Sequence, residues 1–386
     1  MPMNAQSLSW VEVDATALEQ NVAAIRSNLA PGCGMVPVVK ANAYGHGYLQ
    51  IARLLDGKQF PYIGVHNLEE ASILREGGIK NDILILGYVP LGDLKIAVEA
   101  GFDFVVYNIE TLRKLTEVAN DKTPAKCHLK LETGTNRQGV MREQLPDFLA
   151  LFSSKPQLQL VGVSTHFANI EDTTDHSYAE FQFKRYAEMK QVIEASKLPV
   201  KYYHMASSAA SLLFPHTHFN LARVGIALYG LWPSKETYLS YRMSGKQNQI
   251  LRPVLTWKTI VAQVKDVRKG EYIGYGTTYR ATADLKIAVV PIGYYDGYDR
   301  QLSNSGHVLI NGMRAPIRGR ICMDIFMVDV TDIPDVRLES EVVLIGRSGD
   351  EVIRAEDVAG WANTINYEVV SRIGSHLERR VINQRS

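Results

Sequence analysis

The fold of this chain is first indicated at residues 36–47, which read Val36-Pro37-Val38-Val39-Lys40-Ala41-Asn42-Ala43-Tyr44-Gly45-His46-Gly47. Four mostly apolar residues end at a lysine, and a loop with two glycines follows. A nearly continuous apolar run is typical of a strand buried on both faces, as in a parallel sheet. We therefore expect Lys40 at the end of a buried strand, where burial would lower its pKa and make the amine a nucleophile. A lysine that extends into solvent is the alternative.

Seven further apolar runs follow, separated by stretches with helical spacing. Eight strand–helix units in about 220 residues are what a (β/α)8 barrel of the TIM type needs. We predict such a barrel over residues 11–240, with a doubly wound sheet as the alternative. The eight runs are Met35–Lys40, Tyr62–Val65, Ile83–Gly87, Asp103–Tyr107, Cys127–Leu131, Leu160–His166, Lys201–His204 and Leu221–Ile226.

The pattern changes after Ser234, where a polar, irregular segment extends to Pro253. Beyond it, short strand-like runs alternate with Gly, Pro and Asp turns, which predicts a mostly β domain. We expect this domain to comprise residues 241–386 together with an N-terminal strand at 1–10, so that the fold class is α/β plus β. The runs are Leu255–Val267, Lys286–Pro291, His307–Ile310, Ile325–Val330 and Glu341–Ile345.

The composition is that of a globular enzyme. Of the 386 residues, 46% are hydrophobic and 22% are charged, with a net charge of +1, which argues against a disordered chain and against nucleic acid as a partner. Three widely spaced cysteines suit neither a disulfide framework nor a zinc site. We find no signal peptide and no membrane span in the sequence. We therefore expect a cytoplasmic protein with no metal and no membrane partner.

Polar side chains stand at the ends of several predicted strands. Barrel enzymes carry their active sites at the carboxyl ends of the strands. Each residue alone has an ordinary explanation; two serines before a helix, for example, are usually an N-cap. Their convergence on one end of one barrel predicts an active site, and the serines suit a phosphate. The residues are Lys40, Lys130, Arg137, His166, His204, Ser207, Ser208, Arg223, Gly225 and Ile226.

The β domain adds tyrosines next to glycines in predicted turns. Tyr275 lies in Gly274-Tyr275-Gly276, Tyr294 lies in Gly293-Tyr294-Tyr295, and Met323 lies in Gly319-Arg320-Ile321-Cys322-Met323-Asp324. Tyr367 lies in Ile365-Asn366-Tyr367-Glu368. Several of the 19 tyrosines must be structural.

From Trp10 to about Arg372 the chain resembles the alanine racemases. The motif at 38–47 is similar to that family's cofactor-lysine signature, and the motifs at 291–297, 319–324 and 365–368 follow in the family's order. The resemblance implies pyridoxal 5'-phosphate as cofactor and a homodimer with shared active sites. It also implies that Lys40 bonds to the cofactor and acts as one base, and that Tyr275 of the partner subunit is the other.

The resemblance assigns further roles by position. Arg223 would meet the pyridine nitrogen, with His204 supporting it, and His166 would stack on the ring. Tyr44, Ser208, Gly225, Ile226 and Tyr367 match phosphate-binding positions. Arg137 and the backbone at Met323 would hold the substrate, with Tyr294 beside them, and Lys130 matches a position that is often carbamylated. Arg300, Arg320, Glu171 and Ile365 match positions lining an entry corridor.

The function that follows is two-base interconversion of L- and D-alanine, supplying D-alanine for peptidoglycan. A serine or broad-spectrum racemase is the first alternative; broad-spectrum relatives tend to lack the lysine matching Lys130. A decarboxylase of the same architecture is less consistent, because those enzymes pair the pyridine nitrogen with a glutamate rather than with an arginine such as Arg223. A single-barrel cofactor carrier would lack the β domain, and a cofactor-free barrel protein would leave the Lys40 loop unexplained.

Overall fold

The structure is a computed structural model that describes residues 7–245 and 251–384. By its contacts the chain divides into two compact units. The first, the barrel unit, is Glu19–Lys40 and Ile51–Arg252; the second, the β unit, is Met1–Leu18, Ala41–Gln50 and Pro253–Ser386. Within the described ranges, none of the helices has the length and apolar character needed to cross a membrane.

The first described elements are β1 (Ser9–Asp14) and α1 (Ala15–Asn28), and only Ser9 and Trp10 of β1 fall within the expected N-terminal strand 1–10. Eight parallel strands then form the barrel unit. They are β2 (Gly34–Pro37), β3 (Ile63–Val65), β4 (Ile83–Ile85), β5 (Asp103–Val106), β6 (Ala125–Lys130), β7 (Leu158–Ser164), β8 (Tyr202–His204) and β9 (Leu221–Val224).

The order of these strands is that of a closed barrel. β3 to β8 pair in sequence order, and β9 pairs with β2. A bridge between Val38 and Gly64 connects β2 to β3, and the amide of Arg223 donates to the carbonyl oxygen of Ala206 at 3.0 Å, next to β8. The first and last strands are therefore neighbours, which confirms the barrel and excludes the doubly wound alternative.

Helices alternate with the strands as the spacing predicts. The turn α2 (Lys40–Tyr44) is unusual, because Ala41, Asn42 and Ala43 have φ values of 52° to 54°, in the left-handed region. The others are α3 (Tyr48–Leu55), α4 (Leu68–Glu76), α5 (Leu94–Glu99), α6 (Ile109–Val118), α7 (Leu145–Ser154), α8 (Ser177–Ala195), α9 (Ser208–Leu213) and α10 (Lys235–Met243).

The β unit holds two sheets, which confirms a mostly β second domain. One sheet has the order β14-β13-β16-β10-β1-β18, with β17 on β16, and the other has the order β11-β12-β15. The bounds are β10 (Leu255–Ile260), β11 (Gln263–Val267), β12 (Leu285–Val290), β13 (His307–Ile310), β14 (Met313–Pro316), β15 (Phe326–Asp329), β16 (Glu341–Ser348), β17 (Glu351–Ile353), β18 (Glu378–Ile382), α11 (Ala355–Trp361) and α12 (Asn366–Ser371).

Two local predictions were wrong. The run Leu255–Val267 is two strands, because after β10 the chain leaves the larger sheet and enters the smaller one: the amide of Val261 bonds to Ser340 and that of Ala262 to Val289. The segment after Ser234, expected to be irregular, contains α10, whose first turn is capped by the Ser234 hydroxyl, which accepts from the amide of Thr237 at 2.9 Å. Part of that segment, 246–250, lies outside the described residues, as do 1–6 of the expected N-terminal strand. The boundaries 11–240 and 241–386 stay a prediction.

Candidate active site

Lys40 lies three residues after the end of β2 at Pro37, is the first residue of α2, and is half-buried. Burial lowers the pKa of its amine, and the positive charges of Arg137 and Arg223 lower it further, while Glu70 opposes them. A larger share of neutral amine makes the side chain a better nucleophile and a better base at neutral pH.

Arg223 on β9 lies at the centre of a group of buried acceptors. Its Nη1 donates to Nδ1 and to the carbonyl oxygen of His204, and its Nη2 donates to the carbonyl oxygen of Thr165 at 2.7 Å. Nη2 also lies 3.4 Å from Nδ1 of His166. Burial lowers the pKa of Arg223 to about 10, so the guanidinium is still charged at neutral pH. It can only donate hydrogen bonds.

The two histidines beside Arg223 are neutral at neutral pH. Burial lowers the pKa of both His166 and His204 well below the usual value, and the charge of Arg223 acts in the same direction. An imidazolium here would be both desolvated and next to a permanent cation.

The loops after β8 and β9 meet at Ser208, the first residue of α9. Its hydroxyl oxygen accepts from the amide of Gly225 at 3.1 Å and from that of Ala227 at 3.4 Å. The preceding residue, Ser207, has a buried hydroxyl for which the described part of the chain supplies no hydrogen-bond partner. A buried polar atom without a partner is unfavourable unless a ligand or water satisfies it. This corner of the barrel unit is therefore suited to an oxygen-rich group such as phosphate.

Lys130, the last residue of β6, donates to Oε1 of Gln138 at 3.1 Å, and Nε2 of Gln138 donates to the hydroxyl of Tyr107 at 3.0 Å. Burial lowers the pKa of Lys130 to about 8, and the charges of Arg223 and Arg137 add to the effect. Its amine is thus partly neutral near pH 8.

The loop that presents Arg137 is held by Glu132, a residue that the sequence analysis did not single out. Its buried carboxylate accepts from the amide of Gly134 at 2.6 Å and from the amide of Arg137 at 3.3 Å. The carboxylate fixes the backbone while the Arg137 side chain is exposed. An exposed guanidinium on a rigid loop can bind a carboxylate in two parallel hydrogen bonds.

A second unanticipated group lies below Arg223 in the barrel interior. Nε2 of His204 is 2.8 Å from Nδ1 of His128 on β6, and Nε2 of His128 is 3.8 Å from Oδ2 of Asp103 on β5. His128 and Asp103 stand within apolar strand runs, where periodicity gives no sign that two polar side chains face each other.

In the β unit, the residues after Lys40 form the left-handed turn that carries Tyr44. The guanidinium of Arg379 donates to the carbonyl oxygen of Gly45 from Nη2 at 3.0 Å, which fixes the end of that turn. The rings of Tyr44 and Tyr367 have centroids 6.3 Å apart. The structure thus brings together two of the predicted phosphate residues, each with a phenol hydroxyl that can donate.

The remaining predicted residues of the β unit are exposed. Tyr275 lies in a 3₁₀ turn with 74% of its surface accessible, and Met323 is 54% accessible. Tyr294 is held beside the Met323 segment, because its amide donates to the carbonyl oxygen of Cys322 at 3.1 Å. Gly293 makes this approach possible, since a Cβ there would lie 2.0 Å from the carbonyl oxygen of Met323.

The predicted site residues therefore fall into two groups. The barrel unit holds Lys40, Lys130, Arg137, His166, His204, Ser208, Arg223, Gly225 and Ile226, and the β unit holds Tyr44, Tyr275, Tyr294, Met323 and Tyr367. Of the corridor residues, Glu171 is in the barrel unit, and Arg300, Arg320 and Ile365 are in the β unit.

A parallel barrel with a half-buried lysine shortly after its first strand, joined in one chain to a mostly β unit, is the architecture of a two-domain barrel enzyme. Two family models match almost the entire chain. The N-terminal domain of alanine racemase matches residues 13–233, and the C-terminal domain of alanine racemase matches residues 254–381. The chain belongs to the alanine racemase family.

Individual relatives agree with this assignment over their full length. An alanine racemase of Leptospira interrogans is 38% identical over 377 residues, which are 97% of this chain and 96% of the relative. One of Syntrophobacter fumaroxidans is 40% identical over 367 residues, 95% of each chain.

Solved structures agree as well. The alanine racemase of Bacillus anthracis, solved with bound L-Ala-P, superposes with a TM-score of 0.90 at 36% identity, over 99% of this chain and 96% of that one. The Clostridium difficile enzyme gives a TM-score of 0.90 at 31% identity, over 98% and 97% of the two chains.

Proposed function

We propose that this protein is an alanine racemase that uses pyridoxal 5'-phosphate and two bases, Lys40 and Tyr275 of the partner subunit. The observation that carries the proposal is the position of Lys40 at a barrel strand end, with a lowered pKa and with Arg223 and Arg137 close enough to influence it. The names of the relatives and solved structures support the choice of substrate. A cytoplasmic location and a role in making D-alanine for peptidoglycan stay predictions.

The residues of the barrel unit suit this cofactor. The unpartnered hydroxyl of Ser207 and the Ser208–Gly225 corner offer donors for the phosphate, together with Ile226. Arg223 offers a guanidinium N–H to the pyridine nitrogen. In the β unit, the hydroxyls of Tyr44 and Tyr367 are the further donors that we assign to the phosphate.

The cofactor, when bound, withdraws electrons from the substrate and so acidifies the proton on its α carbon. Lys40 would hold the cofactor through its amine at the strand end, and the same amine would take or return the α proton on one face of the substrate. Arg223, which keeps its own proton at neutral pH, would donate to the pyridine nitrogen and leave that nitrogen without a proton. This arrangement would weaken electron withdrawal by the cofactor and limit side reactions.

Tyr275 of the partner subunit is the base that we assign to the opposite face. Two fixed bases on opposite faces make proton removal and return possible in both directions. Tyr275 is 74% accessible within its own chain, which leaves its hydroxyl available to a site built by two subunits. The homodimer is part of this proposal.

We propose that Arg137, on the loop fixed by Glu132, binds the substrate carboxylate together with the backbone at Met323, with Tyr294 beside it. Lys130 steadies this side of the barrel through Gln138. We propose that its partly neutral amine is carbamylated by carbon dioxide. A site that discriminates by one or two side-chain atoms gains only about 1–3 kcal/mol, so weak activity on serine is expected.

The first experiment combines absorbance and racemisation. The purified protein should show a visible absorption band with pyridoxal phosphate that borohydride abolishes, and L-alanine should lose optical rotation faster than serine or arginine. The band without racemisation would point to a decarboxylase or a carrier, and release of carbon dioxide would distinguish these. Absence of the band after adding the cofactor would contradict the role of Lys40.

A mixed dimer tests where Tyr275 acts. Lys40→Ala and Tyr275→Phe homodimers should each be nearly inactive. After unfolding and refolding together, mixed dimers contain one site with both native bases, because the two residues come from different chains. Activity should therefore return in the mixture. If each chain uses its own Tyr275, no mixing ratio will restore turnover, and the shared site is wrong.

A further inference from the structure

Four polar side chains follow one another through the interior of the barrel unit, and we call them the line: Asp103, His128, His204 and Arg223. We propose that Asp103 and His128 are positioning residues: they fix the proton of His204 on Nε2, which keeps Nδ1 of His204 free to accept from Arg223. This inference rests on the proposed function, in which Arg223 meets the pyridine nitrogen.

The direction of the line follows from the chemistry of arginine. A guanidinium has donors only, so Nδ1 of His204, which faces Nη1 of Arg223, must be an acceptor. A neutral imidazole with an accepting Nδ1 carries its proton on Nε2. That proton lies in the 2.8 Å contact with His128, so Nδ1 of His128 is an acceptor as well.

Because Nδ1 of the neutral His128 ring is an acceptor, its proton lies on Nε2, which faces Asp103. Nε2 of His128 is 3.8 Å from Oδ2 of Asp103, longer than a hydrogen bond but within reach of a carboxylate charge. The hydroxyl of Tyr62 donates to the same oxygen at 2.7 Å, and Lys126 Nζ is 3.9 Å from Oδ1. Tyr62 and Lys126 thus place a donor and a positive charge at this carboxylate, whose oxygen attracts the Nε2–H of His128 rather than its lone pair.

Both histidines are neutral, as the line requires. Burial lowers the pKa of His128 and of His204, with Arg223 lowering both further, while the carboxylate of Asp103 opposes the effect at His128. Each ring is fully buried. Because both rings are shielded from bulk solvent and contact each other, the tautomer of one determines the tautomer of the other.

The packing around His128 is specific to an imidazole in this place. On β7, a Cβ at Gly162 would lie 2.2 Å from Nδ1 of His128, so this strand has no side chain where the ring sits. The ring of Tyr202 lies against His128 at a centroid distance of 6.2 Å and an interplanar angle of 13°, and Tyr62 meets its edge at 5.4 Å. The ring cannot turn over without moving these neighbours.

Without His128 and Asp103, only the donors of Arg223 would favour the Nε2 proton of His204, and that buried proton would have no acceptor. A proton on Nδ1 would face the donors of Arg223, and the guanidinium would be displaced from its position between His204 and the carbonyl of Thr165. Asp103 and His128 thus act on the cofactor only through His204 and Arg223.

The direct test is nitrogen NMR of histidine side chains in the wild-type protein, with and without pyridoxal phosphate. We expect His128 and His204 both to be neutral with the proton on Nε2. A proton on Nδ1 of His204, or an imidazolium at either residue, overturns the proposal. The measurement needs no turnover, so it is independent of the proposed function. If the protein fails to racemise alanine but shows the predicted tautomers, the proposed function is wrong and the assignment of the histidine protons stands.

Variants of His128 supply a second readout. His128→Phe fills the space but leaves Nε2–H of His204 without an acceptor. We expect kcat to fall about 10- to 100-fold with little change in KM, by analogy with the loss of the hydrogen-bond partners that orient metal-binding histidines. His128→Gln keeps an acceptor and a donor and should restore most of kcat and the His204 tautomer. If His128→Phe does not fold, the proposal is tested by the histidine tautomers of the wild-type protein and by the kcat of His128→Gln.

Tyr202→Phe is the matched control, because Tyr202 packs on the His128 ring without joining the line of hydrogen bonds. It should keep both tautomers and the wild-type kcat. If His128→Phe, His128→Gln and Tyr202→Phe reduce kcat equally, His128 has only a packing role and the proposal is wrong.

Discussion

The barrel interior and the exposed turns of the β unit place functional residues in opposite ways. In the barrel, Arg223 and His204 are held by hydrogen-bond partners, and burial lowers the pKa values of these two residues and of Lys40. In the β unit, Tyr275 and Met323 project from glycine-flanked turns and are 74% and 54% accessible. Burial shifts the pKa values of the barrel groups, whereas the candidate groups of the β unit remain accessible within one chain.

This difference predicts that the two regions respond differently to mutation. Barrel substitutions should disturb protonation and local packing within one chain. Substitutions in the exposed turns should leave the chain folded and affect only turnover, because surface changes away from packed groups have small effects on stability.

The largest expected effect is at Lys40. Lys40→Ala would remove the residue to which we assign both the cofactor bond and one base, and we expect racemisation to fall by about 10⁴-fold or more, the upper range for a proton-transfer group. Chiral chromatography of alanine measures this loss. Lys114→Ala, at an exposed ion pair with Glu117, is the control and should retain full activity. A Lys40→Ala protein that still racemises at more than a tenth of the wild-type rate would place the chemistry elsewhere.

Tyr275→Phe should reduce turnover by about 10²- to 10³-fold while cofactor affinity and the unfolding midpoint stay unchanged, since only an exposed hydroxyl is lost. Cofactor titration and denaturation are measured on the same sample. Tyr295→Phe, also in an exposed turn, should be neutral. Equal losses of turnover and cofactor affinity would argue that Tyr275 binds the cofactor and is not a base.

Gly162→Ala tests the packed side of the comparison. The added methyl collides with His128, and we expect the free energy of unfolding to fall by about 1–3 kcal/mol, the usual cost of overpacking. Urea denaturation measures it. Gly360→Ala is the matched control: it lies on α11 with nothing within 4 Å of the new Cβ and should gain up to about 1 kcal/mol from helix propensity. Equal stabilities of the two variants would show that β7 can adapt to a side chain at 162.

The smallest effect is a pH-dependent one at Lys130. Because burial lowers its pKa to about 8, its amine loses the proton as the pH rises through 8, and only the neutral amine reacts with carbon dioxide. A carbamate signal in carbon NMR with labelled bicarbonate should therefore grow between about pH 7 and 9. Lys130→Met should abolish it. A wild-type protein without this signal at pH 8 would show that Lys130 acts as a free amine through Gln138.

The sequence predicted the elements formed by local apolar runs. All eight barrel strands and the run His307–Ile310 are confirmed, because buried strands need continuous apolar sequence. The short strands β14 and β17 and the charged strand β18 were missed, since each depends on a partner strand rather than on its own composition. The division of Leu255–Val267 was missed for the same reason.

The sequence predicted those candidate site residues that stand at strand ends or within recognisable motifs. The contacts that lower the pKa values of these residues could not be predicted from the sequence and are visible only in the folded structure. Asp103 and His128 stand on different strands, and His128 meets His204 76 positions further along the chain. No pattern in one sequence reveals such a long-range pairing of polar groups in a core.

The absence of a side chain at Gly162 constrains how this barrel can be recombined with related sequences. The ring of His128 occupies the space that any side chain at 162 would need, so the residues at these two positions of the paired strands β6 and β7 must be compatible in size. A chimera that takes β7 from a barrel with a larger residue at this position must also replace His128. Recombination between relatives should therefore succeed most often when these neighbouring strands are exchanged together as one block.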